Sequence, residues 1–224
     1  MEYEFAFGEI LRDWDLLARG IRLTAALWVI AFVTALAAGL FLGIARMSPR
    51  RALNWPATAY IEIFRNTPVL VQLVWFYYAF PVLTGVQVSP FVAASLGLCL
   101  NTSAYCAEIY RAGLQSIVAG QWEAGRALGM SEATLMRRII LPQALRRMLP
   151  AFTNRAVELA KMTSIASVIT VHELMHEART MATQSFLPLE TFTVVAAIYF
   201  ILIYPGTLGA LLLERRLATR GGAA

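Results

Sequence analysis

Charge is what this 224-residue chain has least of: Asp, Glu, Lys and Arg make up 15% of it, against a hydrophobic share of 58%. Soluble domains carry about a quarter charged residues, so a soluble globular fold is excluded. Lysine is almost missing, with Lys161 the only one. A P-loop needs a lysine next to Ser or Thr after a glycine-rich turn. Lys161 is followed by Met162 and has no glycine-rich stretch ahead of it. ATP hydrolysis by that route is therefore excluded, and no cofactor is expected. The two cysteines, Cys99 and Cys106, stand seven apart in one apolar run. On a helix ~10 Å of rise separates them, too far for a disulfide, so they read as small buried hydrophobes. The first residues, Met1-Glu2-Tyr3-Glu4, are acidic rather than basic, which argues against a cleaved signal peptide. No internal repeat is visible, so the inverted halves of many secondary transporters are missing.

What is present is a series of apolar runs. About 20 apolar residues cross a bilayer as a helix, and the runs 23–45, 57–80, 89–110, 149–171 and 191–213 predict an all-α integral membrane bundle of about five spans. Pro81, Gly85 and Pro90 separate the second and third runs, and Pro205 predicts a bend in the last. Ahead of them, residues 1–19 place Ile10, Leu11, Trp14 and Leu17 at helical spacing among acids. This predicts an external amphipathic helix lying in the lipid interface and ended by Gly20. Residues 20–213 form the transmembrane domain and 214–224 a tail. Ala35, Gly39 and Gly43 recur every four residues, which lets another helix approach closely.

The basic residues orient the bundle. Twelve arginines, Arg46, Arg50, Arg51, Arg111, Arg126, Arg137, Arg138, Arg146, Arg147, Arg215, Arg216 and Arg220, fall on one side; Arg12, Arg19, Arg22 and Arg179 fall on the other. The positive-inside rule makes the richer side cytoplasmic and puts the N-terminus outside. The net charge of +5 thus reports topology, with no nucleic-acid partner.

One long segment is not apolar. Residues 120–142, GQWEAGRALGMSEATLMRRIILP, hold two short helical patterns, Gln121 to Leu128 and Glu132 to Ile140, joined at Gly129 and stopped at Pro142. Trp122, Ala127, Leu128 and Met130 are apolar anchors suited to a partner's groove, and Glu123 and Arg126, three apart, would set its orientation. The run Glu123-Ala124-Gly125, then Gly129, then Ile139-x-Leu141-Pro142 resembles the "EAA" loop of permease subunits of bacterial ABC importers, with Gly125 in place of the second Ala. Phe64-Arg65-Asn66-Thr67-Pro68 with Gln72, the stretch Ala104 to Arg111, Gly120-Gln121, and Lys161-Met162-Thr163-Ser164 resemble the polar amino acid branch of that family, which usually has an acid where Met162 stands. The resemblance covers roughly residues 20–213. It implies a type I importer fold and alternating access in the bacterial inner membrane. It also implies cytoplasmic ATPase subunits gripping Gln121, Glu123, Ala124, Gly125, Arg126, Gly129 and Met130, an external solute-binding protein and a second permease subunit. A polar amino acid would be the substrate.

Ionisable residues at membrane depth are functional candidates, since each costs about 3 kcal/mol unless it faces protein or water. Glu62 and Arg65 are three apart, ahead of Pro68, which frees backbone carbonyls. They read either as a gate or pocket element or as a pair that neutralises itself. Glu108 and Arg111 repeat the spacing nearer the cytoplasmic end, where a structural pair is expected. Arg155, Glu158 and Lys161 recur every three residues on the fourth span, followed by Thr163 and Ser164. A stripe with both signs answers the carboxylate and the ammonium of an amino acid, or it is paired internally; which amino acid is bound stays open.

His172-Glu173-Leu174-Met175-His176 fits H-E-x-x-H, in which two histidines bind zinc and the glutamate acts as base. It supports an alternative, an integral membrane metallopeptidase whose third ligand would be Glu177, Glu190 or another carboxylate. A passive channel or structural subunit is a third reading, favoured by the missing ATP site.

Overall fold

In hydrocarbon every backbone N–H and C=O must be satisfied within the chain, which leaves helices as the economical solution for apolar runs of this length. The computed structural model describes residues 5–221, with side chains through 215; Glu2, Glu4 and the side chains of Arg216 and Arg220 lie outside the described residues. Among the described residues all regular structure is helical: α1 (Phe7–Arg12), α2 (Trp14–Met47), α3 (Arg51–Asn66), α4 (Val69–Val74), α5 (Phe80–Thr84), α6 (Pro90–Gln115), α7 (Ala119–Ala127), α8 (Glu132–Leu135), α9 (Leu141–Met162), α10 (Leu174–Ser185) and α11 (Pro188–Gly221). A π turn (Trp75–Ala79) joins α4 to α5, a second (Met136–Ile140) joins α8 to α9, and a 3₁₀ stretch (Thr163–Ile169) follows α9. Helical elements run through all five apolar stretches. Among the described residues, α2 and Pro188–Arg215 of α11 are long and apolar enough to cross alone, and α3 with the helix after it qualifies only as a bent pair.

The stripe Ala35, Gly39, Gly43 of α2 faces α6. A Cβ on Gly39 would stand 2.5 Å from the Cβ of Cys106, and one on Gly43 would stand 3.0 Å from the carbonyl of Ala107. Small residues here let two backbones touch and make α2–α6 the central seam. Buried Leu27, Ala31, Leu73, Leu98, Leu159 and Ile169 pack beside it.

Three expectations change. Gly20 does not end the N-terminal helix. It lies inside α2, because its missing side chain lets Leu174 approach; a Cβ there would be 2.8 Å from the Leu174 Cα. The break falls at Asp13, and α1 does not lie apart: its Ile10 is buried with Leu17, Leu174, Ala178, Met181 and Val195. The second span is not one helix from 57 to 80. It turns by 106° between α3 and α4, because Pro68 has no N–H to continue the ladder and holds Thr67 extended at φ −110°, ψ 139°. Pro142 does not stop its helix. It sits in the first turn of α9, where a proline needs no N–H donor, and the π turn before it absorbs the ring. The last helix, α11, continues past Pro205, where the sequence places a bend.

Candidate functional site

At one end of the seam sits the segment between α6 and α9. Its two short helices fold against each other because Gly129 takes φ +72° and because Gly125 is bare: a Cβ on Gly125 would lie 2.3 Å from Cδ1 of Leu135. Glycine at the second alanine position is therefore a packing requirement. The Met130 N–H reaches back to the Gly125 carbonyl at 3.1 Å, and the Ser131 hydroxyl caps α8 by accepting from the Thr134 N–H. Arg126 pairs with Glu132 at 2.7 Å and lies 6.0 Å from the Trp122 ring. The neighbouring guanidinium holds the Glu132 carboxyl below the usual range, and the carboxylate raises Arg126 in turn. Trp122 and Met130 are also not outward anchors: both pack inward on Ile117, Leu135, Ile140 and Met148. The outward surface consists of Gln121, Glu123, Ala124, Ala127 and Leu128, the last 79% exposed.

Beside it, charges gather on Glu108. Its carboxylate meets Arg46 at 2.9 Å, Arg111 at 2.8 Å and Arg65 at 3.7 Å. The Glu108–Arg111 pair is as expected, but Glu62 and Arg65 do not pair. Glu62 instead bonds Arg46 at 2.9 Å and Asn66 at 3.1 Å, because the neighbouring α2 presents a guanidinium in better geometry than the next helical turn does. The cluster ties α2, α3 and α6 together just below the bend.

At the bend, Pro68 leaves the carbonyl of Phe64, four residues back, without its helical donor. Gln72 Nε2 donates to it at 3.0 Å and Asn101 Nδ2 at 2.8 Å. Asn101 then accepts from Arg155 Nη2 at 2.8 Å through its Oδ1. The same guanidinium donates to Thr102 at 3.2 Å and Glu158 at 3.2 Å and lies 4.1 Å from the centre of the Tyr105 ring, to which Arg65 also comes within 5.4 Å. Arg155 is 6% exposed and Glu158 is 62% exposed. Asn101 and Thr102 are site residues that sequence reasoning missed. Their signal was the polar run Asn101-Thr102-Ser103 inside an uncharged span.

Farther along α9, Lys161 is exposed and lines a cavity of about 650 Å³ between α9, α10 and α11. Thr163 is buried and donates to the Ala160 carbonyl at 2.8 Å; Ser164 donates to that of Lys161 at 2.8 Å and lines the cavity. The expected path residues thus divide into three places: Glu62 and Arg65 at the Glu108 cluster, Arg155 and Glu158 at the bend, and Lys161 and Ser164 at the cavity, with Thr163 buried behind them.

The H-E-x-x-H pattern does not form a zinc site. His172 precedes α10, so the two histidines do not share a helix, although their rings lie 4.4 Å apart. Glu173 is fully buried as the N-cap of α10, accepting from the Met175 and His176 N–H groups at 3.0 Å each and from Tyr199 at 2.9 Å. A carboxylate so engaged is a cap and cannot serve as a base. Glu177 bonds His172 Nδ1 at 3.1 Å. The peptidase reading falls on this geometry.

Known proteins share the arrangement. The family described as binding-protein-dependent transport system inner membrane component matches residues 35–219. A probable amino-acid ABC transporter permease of Bacillus subtilis (strain 168) is 36% identical over 97% of this chain and 96% of its own length. An octopine transport system permease of Rhizobium meliloti is 42% identical over 82% and 78%. A crystal structure of an amino acid ABC transporter with histidines superposes with TM-score 0.89 at 34% identity, covering 96% of this chain and all of that one. An inward-facing methionine ABC transporter shares the fold, with TM-score 0.74 at 23% identity. The chain belongs to the binding-protein-dependent transport system inner membrane components, as the multi-pass permease subunit of an amino acid ABC transporter.

Proposed function

We propose that this chain is one of two permease subunits of an ATP-driven importer for polar amino acids, working by alternating access, with its N-terminus outside and its C-terminus cytoplasmic. An external solute-binding protein delivers the substrate and cytoplasmic ATPase subunits supply the energy. The observation that carries the reading is the α7–α8 segment. Gly125, Leu135 and the Arg126–Glu132 pair make it stiff, while Glu123, Ala124, Ala127 and Leu128 stand outward with no partner side chain among the described residues. Such a surface suits an apolar groove on an ATPase. The orientation rests on the arginines: the segment shares an end with Arg46, Arg111 and Arg147, and the opposite end, where Gly20 meets Leu174, carries only four basic residues.

Closure of the ATPase dimer would draw the two α7–α8 segments together, and the packed helices would answer by switching between two arrangements. The bend at Thr67-Pro68 lies between the Glu108 cluster and Arg155. Lys161 and Ser164 face the path at the cavity and the exposed Glu158 enters it at the bend, while Glu62, Arg65 and Arg155 brace its walls and the buried Thr163 ends α9. Uptake of labelled amino acids into proteoliposomes holding this chain with its ATPase and binding protein tests the reading. ATP-dependent accumulation, lost on Leu128→Asp, is expected. Flux indifferent to ATP would instead make the chain a passive channel.

A further inference from the structure

The elements α8, the second π turn and α9 form one unbroken helical run from Glu132 to Met162. Its inward face starts with Leu135 and continues through Ile140, Ala144 and Met148, all buried in one cluster. The first step along that face is five residues and the next two are four each. A step of five would rotate a plain α-helix off its face; the π turn at Met136–Ile140 takes up the extra residue and keeps Ile140 in line. About two turns beyond Met148 the same face ends on Arg155, which is bonded to Asn101 and Thr102 of α6. About 30 Å of helix thus joins Leu135 to Arg155.

Two side chains of this face are sunk into glycines. Leu135 fills the space over Gly125 of α7. Met148 does the same on α6: a Cβ on Gly113 would stand 2.2 Å from the Met148 Cγ and 2.5 Å from its Cε. Met148 is 2% exposed, and Arg147 beside it donates to the Ser116 carbonyl at the C-cap of α6. The rings of Tyr110 and Phe152, with centroids 4.8 Å apart, close the crossing on its outer side. A side chain seated to its Cγ on bare backbone cannot slide along that backbone without leaving its socket, because the packing around it has no spare volume. The contact therefore holds α9 in register on α6.

We propose that the seat of Met148 on Gly113 is the coupling joint of the permease. A displacement imposed on α7–α8 reaches Arg155, and with it the wall beside Glu158, as one rigid movement, and none of it is lost as sliding between α6 and α9. Met148 and Gly113 are positioning residues: both are buried and act through the helices they join. This rests on the importer reading and assigns the route by which the pull of the ATPase crosses into the membrane.

The test is made in the assembled transporter, with the labelled amino acid that the wild type takes up best, and reads uptake per ATP hydrolysed. Met148→Ala empties the socket and should lower this ratio about fivefold, the low end for a coupling contact, while hydrolysis and capture of the ATPase persist. Gly113→Ala should lower it likewise. Gly113→Ala combined with Met148→Ala, in which the added methyl takes the space the shorter side chain leaves, should recover most of it. An unchanged ratio in Met148→Ala, a fall of uptake and hydrolysis in proportion, or a double variant no better than the single ones overturns the proposal. Where these variants fail to assemble, a covalent bridge decides. With Cys99 and Cys106 replaced by alanine, Ser116→Cys and Arg147→Cys are joined by a short bismaleimide. ATP-dependent uptake retained after bridging is expected of one rigid body; its loss means that α6 slides on α9 and overturns the joint. Wild-type uptake that never depends on ATP overturns the importer reading as well.

Discussion

Arg155 and Lys161 stand six residues apart on one helix and carry the same charge, yet the fold treats them in opposite ways. Arg155 is buried and bonded to Asn101, Thr102 and Glu158, with an aromatic ring against its face. Lys161 is exposed to a cavity and, among the described residues, has no ion pair. A planar guanidinium with five donors can bind several helices at once, while an ammonium on a flexible stem is a point charge free to meet a ligand. A saturated ion is scaffold; an unsaturated one is available for recognition.

Breaking the saturated side should have the largest effect. Arg155→Met strands Asn101 and Thr102 and should cost about 3 kcal/mol or more, read as a lower thermal midpoint in detergent. Arg155→Lys should recover only part of that, since one ammonium cannot reach all three partners; an unchanged midpoint in both would remove Arg155 from the scaffold. Gly125→Val tests whether steric saturation works in the same way at the α7–α8 segment. Pushed against Leu135, it should cost about 1–3 kcal/mol and weaken assembly with the ATPase in a pull-down, with Gly125→Ala milder. Glu108→Gln leaves three guanidiniums without their common anion and should cost ~1.5 kcal/mol in the same denaturation assay. Lys161→Gln belongs at the other extreme, with a stability change within about 0.5 kcal/mol and an altered substrate preference.

The smallest effect is a pH effect at the exposed Arg126–Glu132 pair. Glu132 is held below its ordinary value by Arg126. Its contribution is therefore fully present above the unfolded glutamate value of about 4.3 and fades as pH falls through the depressed folded value. Backbone hydrogen exchange of residues 121–132 should speed up on acidification in the wild type, beyond the intrinsic pH trend, and not in Glu132→Gln.

Sequence reasoning did best where the cause is local. The apolar runs, the φ > 0 turn at Gly129 and the seam at Ala35, Gly39 and Gly43 all follow from properties of the residues themselves. The donors that Pro68 recruits were less legible: Gln72 was in view, but Asn101 lies 37 residues away. Charge pairing was the least legible. Glu62 and Arg65 are close enough along a helix to pair, but spacing says nothing of a better partner on a neighbouring helix. Glu173 misled in the same way, for a motif cannot tell a base from a cap.

By itself the sequence determined a membrane-spanning all-α permease with one polar segment between its third and fourth spans, because hydrophobic length and glycine and proline chemistry act over a few residues. Only the tertiary structure decided which charges are cancelled. That choice depends on distances of about 3 Å between helices far apart in the chain, and among the described residues it leaves Lys161 as the one charge of the α9 stripe without an ion pair.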